Sequence, residues 1–368
     1  MEDELRTLRT SIAVVDRGLL DLLHRRMELS ARVGRVKAAS GLEVVARDVE
    51  DQVLGRARGQ AEAAGISEEA MESIFRGILR ASVERQHRVG MEERVRRGGR
   101  VLVIGGAGGM GSWLRRFLAL VGHRVDAVDT AWVRPPAEEG RWSTLDAVPS
   151  LEPYDAVVLS VPLARGPEVL DDVTARHPRG LVVEIASIQS HLEPALGRAE
   201  EAGVRTCALH PMFGPGASPY EPLTFVLACR QEPAEERRAV DALLRHPYTR
   251  VVAIPFAHHD RLMGWLLGLA HLHGMLFGAA LAESGLDPAE LLSCASTTFT
   301  RQAATARSVL LEDPELYFDI QRLNPHREAV YAAARDSLDR LVSRVREEDI
   351  DGFRNLLDGA RRAVGETE

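Results

Sequence analysis

The chain has 368 residues, of which 45% are hydrophobic and 27% charged, and its formal net charge is −8. This length accommodates two or three domains that each bury their own core, and the composition is that of a folded globular protein. The acidic balance argues against nucleic acid as the main partner. Three scattered cysteines, Cys207, Cys229 and Cys294, exclude a disulfide framework or a zinc site, so we expect a reducing, cytoplasmic compartment.

Neither a signal peptide nor a membrane span is expected. The amino terminus, Met1 to Glu4, is acidic and cannot be the basic start of a secretory signal. The most apolar stretch, residues 264–282, is nearly long enough to cross a membrane, but it contains His271 and His273, is rich in glycine and lacks basic flanking loops. We interpret it as a buried core helix or a dimer helix.

Three composition regimes predict three domains. Residues 1–92 contain almost no proline or β-branched run, so we expect an all-α domain. In residues 98–254, short runs of Val, Ile and Leu alternate with helical stretches, as in a parallel sheet wound by crossover helices. Residues 255–368 are helical again, with starts and breaks at Gly285 and at Pro288, Pro314 and Pro325. The basic stretch 94–100 is interpreted as a solvated hinge.

Apolar residues that recur every three or four positions predict a first helix of over thirty residues. They are Leu5, Leu8, Ile12, Val15, Leu19, Leu22, Leu29, Val33 and Val36. Arg26 interrupts this seam. A charge on a buried stripe is costly unless it is paired, so either a partner carboxylate or an anionic ligand should meet Arg26, and both remain open. Lys37 lies on nearly the same face, about 16 Å along the helix, and two such cations suit a small dicarboxylate.

This region resembles the all-helical chorismate mutase domain at the front of bifunctional aromatic biosynthesis enzymes. The resemblance spans roughly residues 4–88 and rests on Leu8-Arg9, Val15-Asp16, Leu22-Leu23, Arg25-Arg26, Glu28-Leu29, Val33-Gly34 and Val36-Lys37. It implies an intertwined dimer in which Arg26 and Lys37 of one chain and Arg9 of the other bind the substrate. Glu50, Ser82 and Gln86 fall at the spacings of three further pocket residues.

The chemistry implied by this resemblance needs no nucleophile. Chorismate rearranges to prephenate in one concerted step, so the site must hold a diaxial dicarboxylate and stabilise charge on the ether oxygen. Arg9 and Arg26 would clamp carboxylates, while Lys37 and a protonated Glu50 or Gln86 would donate to that oxygen. The family carries arginine before this glutamate where the chain has Val49. A relic mutase kept for dimerisation is therefore the alternative.

A glycine-rich turn follows the hydrophobic strand at residues 101–104 and precedes an amphipathic helix from Ser112. Gly106, Gly108 and Gly111 have the spacing G-x-G-x-x-G between strand and helix, which is the context of a dinucleotide-binding turn. The first glycine allows the tight turn, the second lets the pyrophosphate approach the backbone, and the third lets the helix pack on the strand. We expect a Rossmann-type doubly wound domain with cofactor contacts at Gly106, Gly108, Gly109, Met110 and Gly111.

The next two strands add further cofactor contacts. The strand 124–128 ends at Asp129, twenty-three positions past Gly106. An acidic side chain there accepts the ribose hydroxyls and repels a 2'-phosphate, so it favours NAD over NADP; the alternative is that Asp129 only forms a turn. Ser160, Val161 and Pro162 end the following strand at the carboxyl edge of the sheet, where cofactor contacts are usual.

His210 follows the strand at residues 206–209, in a rigid loop with the sequence His-Pro-Met-Phe-Gly-Pro. A doubly wound fold places its ligand at this edge of the sheet, so we interpret His210 as catalytic. Together with Ala186-Ser187-Ile188 and His259-Asp260, the loop resembles the prephenate dehydrogenase family over residues 100 to about 360.

The second resemblance implies oxidative decarboxylation of prephenate to 4-hydroxyphenylpyruvate. His210 would take the proton from the ring 4-hydroxyl as hydride leaves C4 for NAD, and Ser187 would hydrogen-bond the same hydroxyl or its histidine partner. A histidine that titrates near neutrality suits this task, so we expect the rate to rise with pH through the pKa of His210.

His271 matches a family active-site position and is expected to line the substrate pocket. His259 lies twelve residues earlier on the same helix, about 18 Å away, so both cannot contact one small ring. We therefore interpret His258 and His259 as cap or structural residues.

The ring carboxylate of the substrate needs a cation, which the family supplies as arginine before the Asp313-Pro314 step. Ungapped counting puts Thr300 and Ser308 at those positions, with Arg301 and Arg307 one residue away, so these two arginines are candidates and surface arginines are the alternative. Gln189 replaces a lysine that is common after the Ala-Ser motif.

The two resemblances together imply a bifunctional, cytoplasmic, homodimeric enzyme of tyrosine biosynthesis. It would combine a chorismate mutase-type all-α domain, a Rossmann-type NAD-binding domain and an all-α carboxyl-terminal dimerisation domain, acting on chorismate and prephenate with NAD and without a metal. Two alternatives remain. One is a 4-amino-4-deoxyprephenate dehydrogenase of an antibiotic pathway, suggested by the shifted arginines and Gln189, and the other is a NAD-binding regulatory protein with two decayed sites.

Overall fold

A central sheet covered by helices on both faces lies between two helical regions. The computed structural model describes residues 2–40, 47–94, 98–133, 140–246 and 249–365. The helices and strands of these ranges follow the order expected from the sequence, with helices first, alternating strands and helices next, and helices at the end.

The amino-terminal region consists of α1 (Glu2–Ser40), α2 (Arg47–Arg58) and α3 (Glu68–Arg94). The predicted long first helix is confirmed, at 39 residues. Helices α1 and α3 pack closely at Gly34, where a Cβ atom would lie 2.7 Å from the carbonyl oxygen of Gln86. The apolar seam of α1 is not covered by the described residues, since Leu5 is 48% and Leu22 61% exposed.

The sheet has eight strands in the order β3-β2-β1-β4-β5-β6-β7-β8. They are β1 (Arg100–Ile104), β2 (Arg124–Val128), β3 (Arg141–Trp142), β4 (Ala156–Leu159), β5 (Leu181–Glu184), β6 (Thr206–Pro211), β7 (Leu223–Cys229) and β8 (Thr249–Pro255). The first six are parallel, as expected. Strand β7 is antiparallel to β6, and β8 is parallel to β7. The last pair is reversed because the chain returns from β6 through a loop rather than through a crossover helix.

Four helices cover the two faces of the sheet: α4 (Gly109–Leu120), α5 (Gly166–Thr174), α6 (Glu193–Glu201) and α7 (Pro233–Leu244). One apolar layer contains Trp113, Phe117 and Phe225, and the other contains Leu170 and Leu192. Both layers are buried against parallel strands, which confirms the doubly wound Rossmann-type fold.

The carboxyl-terminal region is helical and starts with one long rod. It comprises α8 (Phe256–Met263), a π-helical segment (Gly264–Leu269), α9 (Ala270–Glu283), α10 (Pro288–Ser293), α11 (Thr297–Leu310), α12 (Pro314–Leu323), α13 (Arg327–Arg346) and α14 (Ile350–Val364). Asp287 and Asp313 cap the amino ends of α10 and α12 just before their prolines, which confirms the helix starts predicted at those prolines.

The rod Phe256–Glu283 is not a buried core helix of the single chain. Only 11% of its most apolar window is buried, and Trp265, Leu266 and Leu276 are each about half exposed. Within the described ranges it is the one helix with the length and apolar composition of a membrane span. Of the two interpretations made from the sequence, the buried core helix is wrong.

Candidate active sites

The glycine turn between β1 and α4 is built for close backbone approach. Gly105 has a φ of 84°, a conformation that favours glycine, and a Cβ atom there would collide with the carbonyl oxygen of Ser160. A Cβ atom on Gly111 would collide with the carbonyl oxygen of Gly105. At Gly108, in contrast, a Cβ atom would meet one carbonyl oxygen at 3.5 Å and otherwise open space. This turn fits a pyrophosphate at the amino end of α4, and it adds Gly105 to the glycines chosen from the sequence.

Asp129, at the end of β2, is held against this turn. Its Oδ2 accepts a hydrogen bond from the amide of Ala107 at 2.7 Å, and its Oδ1 accepts one from the amide of Ala131 at 2.8 Å. The carboxylate therefore lies beside the glycine loop, where a ribose is expected. The guanidinium groups of Arg115 and Arg141 lie 5.5 and 5.9 Å from the ring centre of nearby Trp132, a cluster that sequence reasoning missed.

The cofactor turn contacts the loop at residues 212–222 that follows β6, which we call the His210 loop. His210 itself lies within β6 and not, as the sequence predicts, in a loop after the strand. A Cβ atom on Gly109 would lie 3.2 Å from Cγ of Pro215, and the indole nitrogen of Trp113 donates to the carbonyl oxygen of Ala217 at 2.7 Å. Ser160, which starts the segment 160–162 at the end of β4, donates its amide to the carbonyl oxygen of Ile104 at 2.8 Å. A dinucleotide on the glycine turn would therefore lie beside the loop that follows His210.

His210 ends a buried row of polar side chains. It is 3% exposed, and its Nδ1 lies 3.2 Å from Nε2 of His259, whose Nδ1 lies 2.7 Å from Oδ1 of Asp260. Asp260 also accepts hydrogen bonds from the amides of Gln189 at 2.8 Å and Ser190 at 2.7 Å. Strand β6, helix α8 and the segment after β5 meet here.

The pKa of His210 is lower than the value near neutrality expected from the sequence. Burial lowers the pKa of His210, the neighbouring imidazole of His259 lowers it further, and Asp260 raises it only in part. The neutral base therefore persists well below neutral pH, because burial removes the solvation of the imidazolium. Burial would raise the pKa of Asp260, but its hydrogen bonds outweigh this, so the net pKa is lowered and the carboxyl is ionised.

The other dehydrogenase candidates are distributed around this row. Ser187 is half-buried in the segment after β5. Gln189 is fully buried and donates to the carbonyl oxygen of Ala186 at 2.8 Å, so it supports this segment instead of facing the cleft. His271 on α9 packs its ring 4.5 Å from that of Tyr317, and burial lowers its pKa.

Neither arginine candidate lies on the buried side of α11. Arg301 and Arg307 are exposed, whereas Ala306 and Val309 pack against Gly274 of α9. Gln302 is half-buried, and among the described residues both its Nε2 and the Nδ1 of His271 are buried without a hydrogen-bond partner. The polar side chain that α11 buries is therefore an amide, one residue from the predicted arginine.

The structure brings together Arg26 and Ser82 of the mutase candidates. Arg26 is half-buried; its Nη1 donates to the Ser82 hydroxyl and to the carbonyl oxygen of Ile78 at 3.3 Å, and burial lowers its pKa. No carboxylate of the described ranges forms an ion pair with Arg26. Within these ranges Arg26 meets a hydroxyl and a carbonyl oxygen, and an anionic ligand at this position stays a prediction.

The remaining mutase candidates are dispersed. Gln86, on the same face of α3 as Ser82, has a buried Oε1 with no partner among the described residues. Burial lowers the pKa of His87, and the nearby charge of Lys37 adds a smaller lowering. Glu50 on α2 lines a separate cavity of about 350 Å³ together with Arg80 and Tyr220. Arg9 is exposed and lies about 26 Å along α1 from Arg26, so it cannot reach that site within one chain.

Comparison with known families covers both helical ends of the chain. Residues 8–87 match the family Chorismate mutase type II, and residues 255–359 match Prephenate dehydrogenase, dimerization domain. The T-protein of Enterobacter agglomerans is 29% identical over 321 residues, which are 87% of this chain and 82% of that protein. The T-protein of Haemophilus influenzae is 24% identical over 365 residues, 99% of this chain and 93% of that protein.

Two further similarities concern the dehydrogenase part. The 4-amino-4-deoxyprephenate dehydrogenase of Streptomyces pristinaespiralis is 29% identical over 277 residues, 73% of this chain and 92% of that protein. The structure of prephenate dehydrogenase from A. aeolicus, in complex with hydroxyphenyl propionate and NAD+, aligns with a TM-score of 0.59 and 18% identity, covering 73% of this chain and 98% of that one. At this identity the structural similarity establishes a common fold.

Proposed function

The chain belongs to the family that fuses a chorismate mutase to a prephenate dehydrogenase, and we propose that its two sites act in succession. The first site rearranges chorismate to prephenate, and the second oxidatively decarboxylates prephenate to 4-hydroxyphenylpyruvate with NAD. The contact between the cofactor turn and the His210 loop carries this proposal. We propose domain limits of 1–92, 98–254 and 255–368 and a cytoplasmic location.

NAD, when bound, supplies the acceptor for the hydride that leaves C4 of prephenate. The backbone of residues 106–111 would hold its pyrophosphate, with Met110 at the first turn of α4, and Asp129 would accept its ribose hydroxyls. A carboxylate at this position repels a 2'-phosphate, which supports NAD as the cofactor. Segment 160–162 and the His210 loop would border the nicotinamide end.

His210 is the proposed general base of the second site. Its Nδ1 is engaged by His259, which leaves Nε2 for the substrate. Nε2 takes the proton of the ring 4-hydroxyl while hydride leaves C4. The bond from C1 to its carboxylate then breaks, carbon dioxide departs, and the electron pair makes the ring aromatic. The proton on Nε2 returns to the phenolic oxygen, so no net proton is released.

An NADH absorbance assay tests this function directly. Wild type should form NADH from prephenate and, after mutase turnover, from chorismate. The His210→Asn variant should lose NADH formation by on the order of 10²-fold or more, the usual contribution of a general base, while keeping NAD binding and conversion of chorismate to prephenate. Undiminished NADH formation by His210→Asn would remove His210 from this role.

The mutase site is proposed to be shared between two chains. Arg26 with Ser82, together with Lys37, Gln86 and Glu50, would bind the dicarboxylate from one chain, and Arg9 would come from the other. The exposed seam of α1 and the exposed rod Phe256–Glu283 both offer apolar surface to a second copy, which supports a homodimer. A wild-type chain that turns over prephenate but not chorismate would identify the helices as a relic.

A second candidate substrate is 4-amino-4-deoxyprephenate. The similarity to the Streptomyces pristinaespiralis enzyme favours it. Nε2 of a neutral His210 would accept a proton from a C4 ammonium as well as from a hydroxyl. Comparison of kcat/KM for the two substrates with NAD decides between them, and equal or better use of the amino compound would replace prephenate as the leading substrate.

A further inference from the structure

The row formed by His210, His259 and Asp260 is more deeply buried than a general base requires. The three side chains are 3%, 0% and 2% exposed, and every hydrogen bond between them is within 3.2 Å. Burying an ionised carboxylate against two imidazoles costs free energy that an apolar trio of similar size would not. Such a costly arrangement in a cleft points to a role in the reaction.

The hydrogen bonds determine which nitrogen carries each proton. Asp260 is ionised and can only accept, so Nδ1 of His259 must donate to it. When this is the one proton of His259, its Nε2 has a lone pair and accepts the proton of Nδ1 of His210. His210 is thereby left with an unprotonated Nε2, the form that a base needs.

We propose that Asp260 and His259 are positioning residues that hold His210 in the tautomer and orientation of a general base. This inference depends on the proposed function of His210. While Nε2 carries the substrate proton, the negative charge of Asp260, transmitted through the His259 hydrogen bond, stabilises the imidazolium. The proton stays on His210 until it returns to the phenolic oxygen, so none has to leave the row.

The surroundings of Asp260 keep this row rigid. The amides of Gln189 and Ser190 donate to its carboxylate, and the side chain of Asn324 donates to its backbone carbonyl oxygen at 2.8 Å. His191 is the nearby titratable group: burial lowers its pKa, while Asp260 and Asp319 raise it and Arg322 lowers it. Its Nε2 lies 2.8 Å from the carbonyl oxygen of Leu163, so it belongs to a neighbouring contact and not to the row.

Asp260→Asn tests the tautomer directly. The amide has one acceptor oxygen instead of two, so its NH2 group opposes either the Ser190 amide or both the Gln189 amide and Nδ1 of His259. In both orientations the negative charge that fixes the tautomer of His259 and stabilises the His210 imidazolium is lost. We expect kcat for prephenate to fall by on the order of 10²-fold or more, with the KM for prephenate and the Kd for NAD nearly unchanged. His259→Asn should have a similar effect, and the exposed neighbour His258→Asn is its matched control.

Three readouts separate positioning from folding. Chorismate mutase activity of the same variants should stay at the wild-type level, because that site lies in other helices. Asp260→Glu should recover part of kcat, since it keeps the acceptor. As pH is lowered, the residual kcat of Asp260→Asn should fall at a lower pH than the kcat of wild type, because the charge that raises the pKa of His210 is gone.

Two results would overturn the inference. One is a kcat within about twofold of wild type for both Asp260→Asn and His259→Asn, which is far below a general-base contribution. The other is a loss of kcat that is matched by losses of NAD binding and thermal stability. His210→Asn is run in parallel, because its full retention of activity would refute the general base itself, whereas failure of the two partner variants alone would refute the positioning.

Discussion

The two proposed sites differ in how much of each one a single chain supplies. In the sheet domain, His210, His259 and Asp260 are buried and satisfy one another within one chain. In the amino-terminal helices, the apolar seam of α1 is about half exposed, and Arg9 lies about 26 Å from Arg26. One folded chain is thus sufficient to assemble the proposed dehydrogenase row, whereas the proposed mutase site needs a second chain.

Mixed dimers are the strongest test of this contrast. Arg9→Ala and Arg26→Ala should each lower mutase activity by on the order of 10²-fold, the effect of removing one preorganised charged contact. A purified heterodimer of the two variants, carrying two different tags, should regain about half of the wild-type mutase activity, because in a twofold dimer one of its two sites is then intact.

The matched control is a heterodimer of His210→Asn with Asp260→Asn. It should show no recovery of NADH formation, because both residues belong to the same site of the same chain. Absence of mutase recovery in the first heterodimer would mean that Arg9 does not act across the dimer. Recovery in the second would mean that the base and its partners come from different chains.

The same contrast explains which features the sequence could predict. The glycine turn, the position of Asp129 at the end of β2 and the long first helix depend on residues close in sequence, and local spacing was sufficient to predict all three. For His259 the sequence predicts a structural role, because helix geometry puts it far from His271. His259 is indeed far from His271, but helix α8 packs against β7 and β8 and brings His259 to His210 of β6, 49 positions earlier. No pattern of neighbouring residues in the sequence predicts this contact.

Other features could not be predicted because they also depend on contacts between distant parts of the chain. The reversed strands β7 and β8 follow from a return loop whose direction the run of apolar residues does not encode. The partner of Arg26 could not be chosen from the seam alone, because it depends on what the neighbouring helices leave unpaired. That α11 buries Gln302 and exposes Arg301 could not be predicted, because counting along the sequence does not fix which side of this helix packs on α9.

A buried carboxyl in the sheet domain should make the free energy of unfolding of this domain depend on pH. Glu184 at the end of β5 is 2% exposed, its Oε2 has no partner among the described residues, and burial raises its pKa to about 8. An acid whose pKa is raised by folding stabilises the fold fully below its unfolded value, near 4.5, and this contribution is lost as pH rises through about 8. Arg26 in the amino-terminal helices does not titrate near neutral pH, so it adds no such pH dependence to the free energy of unfolding.

Glu184→Gln should remove this pH dependence. Glutamine mimics the protonated acid, so the two proteins should unfold alike near pH 4.5, while at pH 9 the variant should be the more stable by on the order of 4 kcal/mol. Urea unfolding followed at both pH values measures the difference. A constant difference across this range would mean that Glu184 is ionised in the fold.

The smallest expected effect concerns substrate recognition on α11, where one chain offers both a buried amide and exposed arginines. Gln302→Leu removes a half-buried donor whose Nε2 has no partner within the described ranges, so we expect the KM for prephenate to rise by roughly 3- to 10-fold, the value of one hydrogen bond. Arg301→Ala and Arg307→Ala are the matched exposed variants. If Arg301→Ala or Arg307→Ala raises the KM for prephenate more than Gln302→Leu does, the exposed face of α11 contributes to the substrate pocket when a second chain covers it. The dehydrogenase site would then depend on dimerisation, as the proposed mutase site does.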